Sequence, residues 1–288
     1  MATADLITRA RAIQNLNDRA TTSNENSTLD ALVTAVSNAI KRYCRTDFFQ
    51  QSYDELYSGA GQQRLLLRQI PIVSVARVAY GPYAVLRITN NDTTNQRASV
   101  AVSSATDTDV TGSGLTLVRV ASGVVITDTS VTFASNVTMQ GVATAINALG
   151  HGWSATALPA YASWPSADLR IQGALNCMSV YGEIKMHLIE ISDFQVDRKR
   201  GWLIRGINAL VTQWDDPMVV WTPGIDNYRV IYTAGYTTIP LDVQEAAAEW
   251  VSTLFWQTKG NPAVYPSIPP PHVALILDHY RQQNPMPI

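Results

Sequence analysis

Between Tyr228 and Pro262 the chain alternates, turns, and then repeats with a helical period. Tyr228, Val230 and Tyr232 fall on one face of an extended segment, because successive side chains point to opposite sides of a pleat. Gly235 permits the positive φ of a tight turn, and Pro240 suits the first position of a helix, where its missing N–H costs nothing. Val243, Ala246, Ala247, Trp250, Val251, Leu254 and Phe255 then recur at the i, i+3, i+4, i+7 spacing of an amphipathic helix. Asp242 and Glu245 complement the positive end of its dipole and Lys259 the negative end, while Gly260 and Pro262 stop it. The pattern predicts a strand, a turn and a long helix.

Similar patterns organise the rest of the chain. Thr8 caps a short helix with Ala12, Ile13 and Leu16 on its apolar side. A polar loop is expected over residues 17–26, and then a second helix in which Ser27 and Asp30 stand as a capping box. Its stripe is Leu29, Leu32, Val33, Val36, Ile40 and Tyr43, and it ends near Arg45. Alternation over residues 53–57, a turn at Gly59 and Gly61, and residues 64–68 and 71–80 predict strands, with Pro71 at a strand start where no donor is needed. Residues 183–204 predict a hairpin with its tip near Lys199, and residues 218–221 one more strand. Pro271 opens a last helix with Val273, Ile276, Leu277 and Tyr280 on one face. The tail from Asn284 carries two prolines and reads as extended.

Composition divides the chain. No Glu lies between Glu55 and Glu183, and no Lys between Lys41 and Lys185. Within that window, residues 86–169 are dominated by Thr, Ser, Val, Asn and Ala. Residues 99–102, 115–120 and 124–127 read as strands, and one helix is capped by Thr138 and ended by Gly150. This predicts an inserted β-rich domain; the alternative is the ordinary depletion of Lys and Glu in a β-protein.

Bulk properties exclude several classes. Charged residues make up 15% of the chain, against about 25% in typical soluble domains. Such a hydroxyl-rich surface suits either a protein packed against neighbours or a secreted β-protein. A net charge of −2 argues against a nucleic-acid clamp, and the run Arg198, Lys199, Arg200 reads as a solvated hairpin tip. Cys44 and Cys177 have no metal or CxxC spacing and read as two buried thiols in a reducing cytosol, with a disulfide between them as the alternative. No apolar run reaches the length of a membrane span, and the first residues show no secretory pattern. His151, His187, His272 and His279 are scattered and read as surface histidines. Asp215 and Asp216 are adjacent and so point apart; Gly112 and Gly114 lack the setting of a dinucleotide loop. The sequons at Asn26, Asn91 and Asn136 are expected by chance in a Thr-rich chain. No nucleophile–base–orienter set appears, so neither an enzyme nor a cofactor is expected.

Two blocks carry a resemblance. YTAGY…IP.DV..A..EW, in residues 232–250, and DFFQQSYDELYSGAGQQRLLLRQIPIVSV, residues 47–75, resemble the head–tail connector (adaptor) proteins of tailed bacteriophages. The resemblance covers residues 5–80 and 182–281, with the insert outside it. It implies an α+β fold with a helical connector core: N-terminal helices, a long C-terminal helix, a terminal helix and β-hairpins. That core spans residues 1–85 and 170–288, interrupted by the inserted domain over residues 86–169. The resemblance further implies a ring, usually dodecameric, beneath the portal protein. Such a ring extends the DNA channel and docks tail, stopper or nozzle proteins, or tail fibres. Genomic DNA passes through without sequence-specific binding, and the protein ends in the virion at the head–tail interface after a period in the host cytoplasm. The residues expected at subunit or portal contacts are Phe255, Trp256, Tyr265, Val273, Tyr280, Arg281 and Ile288. Trp153, Trp164 and Trp202 are the candidates associated with the insert. Of these, Trp153 and Trp164 also admit an alternative reading, a carbohydrate- or receptor-binding virion protein acting through the insert.

Overall fold

The computed structural model describes residues 5–17, 21–106, 109–206, 219–258 and 268–281. Helices α1 (Arg9–Asn15) and α2 (Ser23–Cys44) lead into strands β1 (Gln51–Gly59), β2 (Arg64–Leu66) and β3 (Ile72–Tyr80). Strands β4 (Tyr83–Asn90), β5 (Asn95–Ser103), β6 (Gly114–Ala121), β7 (Val124–Thr127) and β8 (Val131–Thr132) follow. Helix α3 (Met139–Ala148) precedes β9 (Trp153–Ala157), β10 (Gln172–Asn176) and β11 (Gly182–Met186). The remaining described elements are β12 (Ile189–Glu190), β13 (Phe194–Asp197), β14 (Trp202–Arg205), β15 (Gly224–Ala234), α4 (Leu241–Thr258) and α5 (Pro271–Leu277).

This architecture corrects the expected helical connector core. Among the described residues the fold is β-rich, 38% strand and 28% helical, with several antiparallel sheets and five α-helices. The physical reason lies in β15, whose 11 residues are half-buried or buried from Asp226 onward. A strand covered on both faces needs neighbours on both edges, and β1 and β3 supply them in the order β1-β15-β3-β12. Segments flanking the insert are therefore as much sheet as helix.

Four helices, α1, α2, α4 and α5, bury one apolar cluster that includes Leu29, Val36, Ile40, Phe48, Trp250, Val251 and Leu277. Within α4, Ala246, Ala247 and Ala248 are all fully buried. Consecutive burial places neighbours on more than one side of the helix, and α1, α2 and α5 are those neighbours. A second cluster, around Tyr57, Leu67, Val78, Trp221, Tyr228, Val230 and Tyr232, lies between the four-stranded sheet and the small sheet β13-β14-β2. Tyr232 faces Tyr53 across β1 with ring centroids 5.4 Å apart. The third cluster is built from residues between Val85 and Leu188, where sheets β10-β5-β6-β7 and β11-β4-β9 enclose α3. Strands β10 and β11 pair with β5 and β4, so these sheets extend past residue 169, the expected end of the insert.

The folded chain uses some of the local signals and overrides others. Thr8 and Thr138 cap α1 and α3 as expected, accepting from Arg11 N–H at 3.2 Å and Gly141 N–H at 3.1 Å. Helix α2 starts earlier than expected, at Ser23, capped by Thr22 in a box with Glu25. Asp30 is instead occupied by Arg9 at 2.6 Å, and Ser27 donates back to the Ser23 carbonyl. Helix α4 begins at Leu241, one residue after Pro240. Residues 219–221 form no strand; Trp221 is fully buried and donates from Nε1 to the carbonyls of Gln63 and Leu203. Lys259, Gly260, Pro262, Asp215, Asp216, Met218 and the tail from Asn284 lie outside the described residues.

Candidate interaction surfaces

The helical side of the molecule carries most of the expected contact residues, and packing sorts them. Phe255 is 3% exposed and Val273 fully buried. Both belong to the cluster shared by the four helices, so neither is available to a neighbour, contrary to expectation. Position decides this: Phe255 continues the buried stripe of Val251 and Leu254, and Val273 shares a face of α5 with Leu277. Trp256, one residue on from Phe255, is 52% exposed and rests edge-on against its ring at 5.8 Å. Tyr280 follows α5 in a turn and acts as a latch. Its hydroxyl donates to the Asp242 carboxylate at 2.8 Å, and its ring meets Phe48 at 5.7 Å. Burial, reinforced by Asp242, pushes its phenol well above the usual range. Arg281 is exposed, with its guanidinium 5.1 Å from the Tyr43 ring. Tyr265 and Ile288 lie outside the described residues.

The tryptophans assigned to the insert are not brought together. Trp153 is 4% exposed and donates from Nε1 to Asp128 at 2.6 Å. Asp128 in turn holds Arg119 at 3.1 Å. The indole is thus a buried strut with no face for a sugar, which corrects its expected role. Trp164 is half-buried and packs edge-on against Tyr161 at 5.5 Å. Trp202 belongs to β14, outside the insert, and is half-buried, with the guanidiniums of Arg64 and Arg200 near its ring. The TGSGL glycines serve strand packing: a Cβ on Gly112 would lie 2.3 Å from Val102, and one on Gly114 would lie 2.9 Å from the Val131 carbonyl.

An ionic cluster joins the insert to the four-stranded sheet. Arg229 of β15 makes a two-pronged contact with Asp54 of β1, at 2.9 and 2.7 Å, and a third bond to Asp168 at 2.7 Å. Arg77 of β3 reaches the other Asp168 oxygen at 3.2 Å and Glu190 at 2.7 Å. Asp168 sits in a short 3₁₀ turn between β9 and β10. One carboxylate from the insert therefore bridges two arginines of the sheet. Burial opposes the charge on Arg229, whose side chain is 6% exposed, but Asp54 and Asp168 outweigh it and hold the pKa above its ordinary value. Sequence reasoning missed this cluster. An arginine inside the otherwise apolar run YRVIY was the one available signal.

Beside the cluster, His187 is 1% exposed, not the surface residue expected. Its Nε2 lies 3.0 Å from the Asp226 carbonyl oxygen, so the neutral ring donates there. Burial lowers its pKa, against that hydrogen bond, and Arg170, Arg229 and Arg77 add to the depression. A base kept neutral in the fold is protonated first in the unfolded chain. Its contribution is therefore complete above the ordinary histidine pKa of about 6.5 and is lost as pH falls below it. The unfolding free energy from urea titrations should drop as pH falls below about 6.5, by up to roughly 1.4 kcal/mol per pH unit from this group. His187→Gln should flatten that interval, and an unchanged slope would assign it to other groups.

Among the described residues no cluster of His, Cys, Asp and Glu is arranged to hold a metal. Cys44 and Cys177 are buried free thiols, with burial pushing their pKa values up to about 12 and about 11. No helix among the described residues is long and apolar enough to cross a membrane. No protein-family model matches the chain, and no curated protein matches it.

Proposed function

We propose that this chain is a structural virion protein that assembles as a ring, dodecameric as in the resembling family, beneath a portal protein. There it extends the DNA channel and docks tail, stopper or nozzle proteins, at a head–tail interface reached from the host cytoplasm. The observation that carries the reading is the ordered pair of sequence blocks, residues 47–75 and 232–250. The reading does not rest on a helical core. Supporting it, four large apolar side chains on the helical side are more than half exposed: Leu241 at 76%, Trp256 at 52%, Ile268 at 80% and Leu275 at 71%. Where exposed apolar groups form a contiguous patch they favour contact with another protein, and a ring needs a head-to-tail contact that closes by rotation.

The mass of the purified protein, alone and mixed with its portal, tests the proposal. A monomer that becomes a closed ring on the portal is the expected result; a particle indifferent to the portal would remove the reading. Trp256→Ala should weaken that assembly while changing subunit stability by no more than about 0.5 kcal/mol, as for an exposed site. The alternative, a carbohydrate- or receptor-binding protein acting through the insert, loses Trp153 as a stacking platform and keeps only the half-buried Trp164.

A further inference from the structure

A second surface lies on the outward face of the small sheet β13-β14-β2. Register decides its composition. Trp202 pairs with Leu66 and Ile204 with Arg64, while the alternating residues Leu65 and Leu203 are buried against the core. Arg64 and Trp202 therefore share the solvent side. The Arg64 guanidinium lies 4.4 Å from the Trp202 ring centroid and that of Arg200 lies 5.6 Å from it. Arg198, Lys199 and Arg200, all exposed, form the turn between β13 and β14.

That turn is held firmly. Gly201 N–H donates to the Asp197 carbonyl at 2.9 Å, Arg200 N–H to the Asp197 carboxylate at 3.1 Å, and Ile72 N–H to the Arg198 carbonyl at 2.9 Å. Arg64 and Arg200 thus stand beside the Trp202 ring, and Arg198 and Lys199 are exposed in the adjoining ordered turn, with little countercharge. Asp197 approaches Arg200 at 3.8 Å, and among the described residues no carboxylate pairs with Arg64, Arg198 or Lys199. On a chain of net charge −2 this is a local concentration of positive charge. The three-residue run alone reads as a solvated tip; the fold adds Arg64 from a distant strand and an aromatic ring close to two of the guanidiniums.

We infer that this face binds the phosphate backbone of double-stranded DNA without reading its sequence. Guanidiniums braced on an aromatic ring present planar forks of donors suited to phosphate oxygens. A duplex offers one negative charge per about 1.7 Å of axis, so cations at several spacings find partners without matched shape. The apolar side chains of this face, Leu66, Trp202 and Ile204, are each half-buried, so none projects as a membrane anchor. The inference stands on the charge of the isolated subunit and does not require the ring.

Fluorescence anisotropy with a labelled random-sequence duplex, titrated into the purified full chain across a salt series, tests it. Four phosphate contacts predict a slope of log K against log salt near −3.6, which is about a 10²-fold loss of affinity between 50 and 200 mM salt. The variant R64Q/R198Q/K199Q/R200Q, with its fold checked by circular dichroism and melting, should lose most of that binding and its salt dependence. No binding at 50 mM salt, or equal binding by the variant, would overturn the inference. Equally tight, variant-sensitive binding to phosphatidylglycerol vesicles would also overturn it, by making the face a general polyanion surface. Because the titration uses no portal, its failure leaves the ring proposal untouched, and failure of the ring leaves this result standing.

Discussion

Trp250→Ala is expected to lower the unfolding free energy by about 3–5 kcal/mol, the range for truncating a buried aromatic. Trp250 is 2% exposed and sits midway along α4, the helix against which α1, α2 and α5 all pack. The nearby α4 positions Ala246 and Ala247 are too short to reach into the vacated space, so the cavity should persist. At about 2–4 °C per kcal/mol for a chain of this order of size, the melting temperature should fall by roughly 6–20 °C. Six residues further on, Trp256→Ala removes a side chain already 52% exposed and should leave the melt nearly unchanged. Thermal melts of the two variants beside the unaltered protein decide the matter. Equal losses would show that α4 is covered at Trp256 as well, and would take that residue out of any assembly surface.

The second large effect is expected at Asp168. Replacing it by alanine leaves Arg77 and Arg229, with side chains 18% and 6% exposed, without the carboxylate they share. Removing one partner of a buried pair costs about 3–5 kcal/mol, because the remaining charge stays desolvated. Arg229 keeps Asp54 and Arg77 keeps Glu190, so the lower end, about 3 kcal/mol, is expected. The change should show a particular signature: faster proteolysis at the junctions of the insert, since Asp168 ties the insert to β3 and β15. The double variant D168A/R77A should lose less than the sum of the single changes if the two residues act as a pair. Strict additivity, or an unchanged melt for D168A, would show that the insert is held by its own strands and linkers alone.

Elements that depend on neighbours in sequence were legible. The α4 stripe, the caps at Thr8 and Thr138, the end of α2 near Arg45, and the hairpin turn at Lys199 all rest on interactions within a few residues. The start of α2 was missed for a related reason: two Ser/Thr-x-x-acid spacings compete there. Glu25 reaches back to the Thr22 backbone, whereas Asp30 is taken by Arg9.

The candidate surfaces were only partly legible. Burial of Phe255 and exposure of Trp256 follow from helical phase, and the stripe already contained Phe255. Trp153 looked like a surface aromatic because its partner, Asp128, is 25 residues away in sequence. Arg64 and Trp202 are far apart along the chain and meet only through the pairing of β2 with β14.

Because periodicity and capping are local, the presence of the helices, many of the strands, the burial of both cysteines and a compositionally distinct middle segment can be read from the residues alone. The dominance of sheets, the bridging of two arginines by Asp168, the enclosure of His187 and the meeting of Arg64 and Arg200 at Trp202 arise only on folding. Each of these depends on contacts between residues distant in the chain, and strand pairing and ion-pair geometry leave no periodic trace in sequence.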